Sequence, residues 1–266
     1  MMKRVFPVYG LFVLTCLFLA VSCNRNTETC GPCKFELLDS TQFVIDVEGN
    51  IYSVVKIGKQ TWLGENLRTR HYADGSPIDN TDTVFKERYY FPAGNVDSVK
   101  MYGVLYNWAA ARHAKDGEVH ANRVQGICPT GFHLPSDEEW HELVDFVTNC
   151  TSGKKKFSPA KMLAVDSLWK ESVVPNTPGM DMDSNNTSLF GAVPTGHCYE
   201  DNEVVRFYSF HSGANFWSST PYGFKEGDDT LMNPNAYGRY IGYNDVLANK
   251  IVSNKKACFS VRCVKD

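Results

Sequence analysis

Cys128-Pro129-Thr130-Gly131-Phe132-His133-Leu134-Pro135-Ser136-Asp137-Glu138-Glu139-Trp140 is the stretch whose reading decides the fold. Ser136 and Glu139 form a capping box: the serine hydroxyl serves the N–H of the third helical residue, and the glutamate reaches back to the serine N–H. Beyond them Trp140, Leu143, Val144 and Val147 recur at i, i+3, i+4 and i+7. The spacing predicts a helix with one apolar face, and with Asp137, Glu138, His141, Glu142 and Asp145 solvated on the other.

Upstream, Phe43, Ile45 and Val47, then Ile51, Val54, Val55 and Ile57, flank Glu48-Gly49-Asn50 and read as a β-hairpin. A second turn at Gly58-Lys59 leads to Trp62 and Leu67, both assigned to the core. Tyr102 to Ala111 ends rich in helix formers, with Leu105 and Trp108 three apart, and predicts a short buried helix. Downstream, Ser158-Pro159 starts another short helix. From Leu168 the chain breaks into short apolar pieces between Gly, Pro, Asn and Asp, hence short strands and long loops. Phe259 to Val264 alternates and is expected to be a core strand closing the fold beside the first hairpin. Hairpin, helices and loop-rich strands in that order indicate an α+β domain.

The amino terminus has export architecture: Lys3 and Arg4, then an apolar run from Val5 to Ala20. At about sixteen residues it is shorter than the roughly 20 a spanning helix needs. It ends at Ala20-Val21-Ser22-Cys23, which looks like a bacterial lipobox. The reading is a signal peptide over 1–22, a lipid-bearing Cys23 opening a tether over 23–40, and one folded domain over 41–266. Stable anchoring takes more than one acyl chain, which bacterial lipoproteins carry. The protein is therefore expected to be exported and lipid-anchored, with the outer membrane as its site. The net charge of -3, more negative once Lys3 and Arg4 are removed, does not favour nucleic acid.

Of nine cysteines, Cys16 leaves with the signal and Cys23 is assigned to lipid. Cys30, Cys33, Cys128, Cys150, Cys198, Cys258 and Cys263 remain, in a compartment where disulfides persist. Cys30-Gly-Pro-Cys33 has thioredoxin-type spacing but lacks a preceding strand and a following helix, so a local disulfide or idle thiols outweigh a redox site.

Several segments together resemble the Fibrobacter succinogenes major paralogous domain. They are Ile57-Gly58-Lys59-Gln60-Thr61-Trp62 through Glu65-Asn66-Leu67, Tyr102-Gly103 through Trp108, Cys128 through Trp140, Phe216-Trp217-Ser218-Ser219-Thr220, and Ser260-Val261-Arg262-Cys263-Val264-Lys265-Asp266. Phe132 stands where the family usually has tryptophan. The family is similar to the C-type-lectin-like fold of formylglycine-generating enzymes, so the resemblance implies an irregular, loop-rich single domain whose termini pair. It also implies a Cys128–Cys263 disulfide, those being the cysteines within the family's motifs. The related oxidases hold copper on a cysteine pair; here the corresponding stretch near Tyr237-Gly238-Arg239-Tyr240 has no cysteine, and Cys258 stands five residues before Cys263.

Asp181, Asp183 and Asn185 alternate as calcium loops begin, yet the twelfth position is Ala192 and the sixth is not glycine, so a solvated turn competes with a calcium site. Tyr222, Tyr237, Tyr240 and Tyr243 could supply stacking faces and hydroxyls for a sugar. Trp217 is assigned to the core, and His133 to a structural hydrogen-bonded role. The expected function is a non-catalytic, lipid-anchored binding module of the cell envelope with a glycan or protein ligand. A formylglycine-type oxidase and a structural envelope protein are the alternatives.

Overall fold

The computed structural model describes residues 35–37, 43–81, 87–113, 123–150, 156–201, 204–223 and 233–266, so the expected signal, Cys23, Cys30 and Cys33 lie outside the described residues. The chain runs through β1 (Phe35–Leu37), β2 (Phe43–Ile45), β3 (Ile51–Ile57) and β4 (Gln60–Leu63). Next come β5 (Tyr89–Tyr90), α1 (Val99–Tyr102), β6 (Leu105–Asn107), α2 (Trp108–Arg112), β7 (Phe132–His133), α3 (Asp137–Asn149) and α4 (Pro159–Leu163). After a 3-10 turn at Met182–Ser184 come β8 (His197–Asp201), β9 (Val204–Tyr208), β10 (Gly213–Pro221), β11 (Asn235–Gly242), β12 (Ala248–Asn254), β13 (Ala257–Phe259) and β14 (Val264–Lys265). Short helices among antiparallel strands make an α+β arrangement that is mostly β.

The described residues form three sheets. In the first, β1 and β2 pair with β3, which continues through β4 and β14 to β7; the second is β10-β11-β12; the third is β5-β6-β13-β8-β9. The last strand, expected beside the first hairpin, instead enters between β4 and β7, Val264 opposite Trp62 on one side and His133 on the other, so β4 separates it from β2 and β3. Strand β1 lies in the stretch read as tether, so sheet pairing begins ahead of residue 41. The hairpin forms as expected, yet Phe43, Ile45 and Ile51 are half exposed while Val44 and Tyr52 turn inward.

The capping box is built as read. Ser136 Oγ accepts from the Glu139 N–H at 3.1 Å, and a Glu139 carboxylate oxygen accepts from the Ser136 N–H at 2.8 Å. Trp140, Leu143 and Val147 are buried. Asp137 differs from expectation: it is not solvated but holds Arg239 at 2.6 Å and Lys250 at 2.5 Å, tying the start of α3 to β11 and β12. The helix expected over Tyr102 to Ala111 also differs. Gly103 takes φ 78° and ends α1, Leu105 lies in β6, and a helix restarts only at Trp108. The cause is Asn107, whose side-chain oxygen accepts the Ala110 N–H at 2.9 Å and so caps α2.

Every motif tryptophan is buried and its indole N–H is satisfied. Trp62 bonds Gln60 at 3.1 Å, Trp108 the Ser218 carbonyl at 2.9 Å, Trp140 the Trp217 carbonyl at 3.2 Å, and Trp217 the Tyr106 carbonyl at 2.9 Å. Trp62, Trp140, Phe190 and Phe216 pack ring on ring in one core, while Trp217, Tyr106 and Phe259 belong to another, which also takes in Phe132.

The closing segment is not one alternating strand. It divides into β13 and β14, and all of Ser260 to Cys263 between them is buried. Its carbonyls accept from three different segments: Ser260 from Trp217 of β10, Val261 from Leu67, Cys263 from Leu63 at the end of β4. The interruption lets Arg262 turn inward. Its guanidinium is fully buried and donates to the carbonyls of Leu63 (3.1 Å), Phe190 and Gly191 (3.2 Å), and to Asn66 Oδ1 at 2.7 Å, with Phe190's ring 4.4 Å away. Burial pushes its pKa down to about 9, against the pull of Glu65. One residue on, Cys263 is disulfide-bonded to Cys128 across 135 residues, a closure that stabilises by up to about 5 kcal/mol in the chain-entropy account.

Replacing Arg262 by Met would leave three carbonyls and one amide oxygen without their donor. Because each orphaned buried acceptor costs about 1–3 kcal/mol, Arg262→Met is expected to lower unfolding free energy by at least about 3 kcal/mol in urea titrations. Arg262→Lys, retaining charge but losing the fork, should fall between.

Candidate functional site

A cleft of about 330 Å³ opens where the motif segments meet. Its floor is backbone: Gly64 and Asn66 from the end of β4 onward, Gly103 after α1, and Gly191. Small residues are imposed there. A Cβ on Gly64 would stand 2.4 Å from Ser53 Oγ, and one on Gly103 would stand 2.6 Å from Asn66 Cβ. Asn66 locks the floor from beneath, its amide donating to the Tyr102 carbonyl at 3.0 Å, Ser260 Oγ at 3.2 Å and Thr195 Oγ1 at 3.3 Å.

One wall is polar. Glu65 accepts from Arg68 at 2.6 Å and from both Ser53 N and Ser53 Oγ at 3.2 Å. Burial would raise its pKa, but those bonds hold the carboxyl below its ordinary 4.5, making it a fixed carboxylate and a poor proton acceptor. Lys100 is exposed at the lip and has no carboxylate partner among the described residues. The opposite wall is apolar, with Val165, Leu189 and Val193, and Met101 stands at the lip. None of the described lining residues is aromatic.

The four tyrosines singled out from sequence do not meet in that cleft. Tyr222 and Tyr237 form an edge-to-face pair at 5.5 Å, with the Lys250 ammonium 3.7 Å over Tyr237. Tyr240, on the opposite face of β11, fills the space left by Gly213 and Gly242. Tyr243 faces the Lys170 ammonium at 4.9 Å.

The Asp181, Asp183 and Asn185 loop is engaged by a cation of the chain itself. Lys161 Nζ donates to the carbonyls of Thr177 (3.3 Å), Met180 and Asp181 (2.8 Å), and to Asn185 Oδ1 at 2.9 Å. Asn185 is buried, its amide bonding the Val165 and Pro178 carbonyls at 2.8 and 2.9 Å. Of the three side chains read as calcium ligands, Asn185 alone gives its side-chain oxygen to this ammonium; Asp181 offers its backbone carbonyl while its carboxylate accepts from Ser184 Oγ at 3.2 Å, and Asp183 makes none of these contacts. Lys161 lies 20 residues before Asp181, beyond the reach of a local motif.

Cys258 does not face Cys263, which is spent on Cys128; it lies opposite Cys198, and both are free. Cys150 is also disulfide-bonded. Among the described residues no three His, Cys, Asp or Glu side chains converge as metal ligands, and no helix is long and apolar enough to cross a membrane.

His133 is nearly fully buried, with Nε2 2.8 Å from Glu139 and Nδ1 2.7 Å from Asp266. Two carboxylate acceptors require both ring nitrogens to donate, so the ring is an imidazolium. Burial alone would lower its pKa, but Glu139 and then Asp266 more than offset that and hold it above the ordinary 6.5. Glu139, which burial alone would raise, is held below 4.5 by His133 and the Ser136 N–H.

A family model described as the Fibrobacter succinogenes major domain matches residues 55–265. No curated protein and no solved structure matches the chain.

The raised His133 pKa gives stability that is complete below about 6.5 and lost as pH rises through the folded value; the lowered Glu139 pKa gives stability present above about 4.5 and lost on acidification. The stability difference between wild type and His133→Gln should therefore shrink as pH rises above about 6.5 and through the raised folded value. Urea midpoints of both proteins across that range check this, and a constant difference would contradict the imidazolium.

Proposed function

This chain belongs to the Fibrobacter succinogenes major domain family, and we propose that it has a lectin-like scaffold with loop-borne sites and is a non-catalytic binding module of the cell envelope. It is exported, held at the outer membrane by lipid on Cys23, and receives its ligand in the cleft over Gly64 and Gly103. The observation that carries this reading is the cleft's construction: a rigid backbone floor fixed by Asn66 and Arg262, one charged wall and one apolar wall, and a carboxylate already committed to Arg68. Preformed concavity with a few oriented polar groups is what ligand sites require.

Of the two ligand classes, a protein segment suits the cleft better than a glycan. The aliphatic side chains of Val165, Leu189 and Val193, with the Lys100 ammonium at the lip, match an extended peptide with apolar and acidic residues, while sugars favour aromatic faces, which the described lining lacks. The glycan reading rests on Tyr222 and Tyr237 alone.

Binding of the purified full-length chain to arrays of envelope peptides and of glycans separates the two. Peptide retention should fall at least about tenfold in Leu189→Arg/Lys100→Glu and be unchanged in Tyr222→Ala. Glycan retention abolished by Tyr222→Ala would transfer the site to the tyrosine pair, and no retention on either array would sink the binding reading. Anchoring is tested separately by intact mass of the native protein: the mature chain should begin at Cys23 and carry fatty acid. A chain trimmed elsewhere and free of acyl groups would remove the envelope assignment.

A further inference from the structure

Strands β13 and β8 place Cys258 directly opposite Cys198. Both side chains are fully buried, and both are thiols. Partners facing one another in an antiparallel ladder hold their Cβ atoms about 4.5–5.5 Å apart on one face. Small local adjustment brings that to the roughly 3.5–4.5 Å a disulfide spans. The face is also separate from the two large cores: the thiols sit with Leu105 in a small cluster edged by Tyr90, Val205 and Phe207.

We propose that Cys198 and Cys258 are a dithiol modification site, converted by an exogenous small disulfide into a cross-strand disulfide joining β8 to β13. The Cys198 thiol loses its proton and attacks one sulfur of the donor, breaking the donor's S–S bond and releasing one donor thiol. Cys258, deprotonated in turn, attacks Cys198 Sγ in the mixed disulfide and expels the second donor thiol. Two cysteine thiols are oxidised, one donor disulfide is reduced, and the two protons leave on the donor thiols.

Access to the pair is governed by a roof. The register from Tyr90 to Leu105, and from Asn107 through Cys258 to Cys198, puts Tyr90, both thiols and Glu200 on one face of the sheet. There the Tyr90 hydroxyl donates to Glu200 at 2.6 Å, reaching from β5 to β8 across β6 and β13, and Arg88 Nε lies 3.8 Å from the same carboxylate. Burial, then the hydrogen bond with Cys198, push the Cys258 thiol well up, so the folded dithiol is slow to exchange. Closure accordingly belongs to folding or to opening of the Tyr90 roof. Once formed, the bond would secure the strand that leads directly into Ser260 to Cys263. The inference is independent of what the cleft binds.

The test uses the full chain, reduced and refolded with glutathione disulfide, then unfolded, alkylated and mapped by mass spectrometry. Peptides bearing Cys198 and Cys258 are expected joined by a disulfide, two hydrogens lighter than the sum of their thiol forms. In Cys198→Ser, Cys258 should be recovered without an intramolecular partner. When the folded, reduced protein is exposed to the same donor, Tyr90→Phe should close the bond severalfold faster than wild type. Recovery of wild-type Cys198 and Cys258 as separate alkylated thiols, as mixed disulfides with glutathione, or each bonded to another cysteine would overturn the proposal. Equal closure rates in wild type and Tyr90→Phe would remove Tyr90 from the site.

Discussion

A single buried guanidinium holds this fold's distant segments to one another. Arg262 reaches the carbonyl of Leu63 at the end of β4, the amide of Asn66 three residues on, and the carbonyls of Phe190 and Gly191 more than seventy residues before it. A charge in an apolar interior is tolerated only when its donors are satisfied, and four of the five N–H groups here have fixed oxygen acceptors or aromatic faces beside them, Nε alone lacking an acceptor. The geometry explains why the closing segment leaves the ladder between β13 and β14. The Ser260, Val261 and Cys263 carbonyls accept from Trp217 of β10, from Leu67 and from Leu63 of β4, three donors that no single neighbouring strand would present together.

The cleft follows from that clamp. Asn66 receives Arg262 on its oxygen and spends its amide on Tyr102, Thr195 and Ser260, so the residues on either side of it, Gly64, Glu65 and Gly103, are presented with little freedom. Where the backbones approach closely, a side chain cannot intervene, and a concavity remains. Glu65 and Arg68 then satisfy each other beside that floor.

Cations recur as cross-links in this loop-rich architecture. Lys161 gathers carbonyls from the Thr177 to Asp181 stretch, Arg239 and Lys250 converge on Asp137, and the His133 imidazolium joins Glu139 to the C-terminal residue. Long connections without regular ladders leave many carbonyls needing donors, and long basic side chains supply several at once. Together with Cys128–Cys263 these contacts hold in place loops that secondary structure would not.

Local patterns were legible from residues alone. The Ser136 and Glu139 box, the Trp140 to Val147 face, the 43–57 hairpin and the start at Ser158-Pro159 each depend on neighbours within a turn or two, so spacing suffices to define them. The motif resemblance carried the Cys128–Cys263 pairing. Hidden from any local reading were the inward turn of Asp137, the half-exposed face of Phe43 and Ile45, the split at Asn107, the ammonium in the Asp181 loop, and the opposition of Cys198 to Cys258. Each is decided by groups tens of residues away: Arg239 and Lys250 for Asp137, Lys161 for the loop, a strand register for the thiols. Sequence periodicity records which side of an element is apolar; which charge or thiol stands across from it depends on how the sheets and loops close, and only the tertiary structure supplies that.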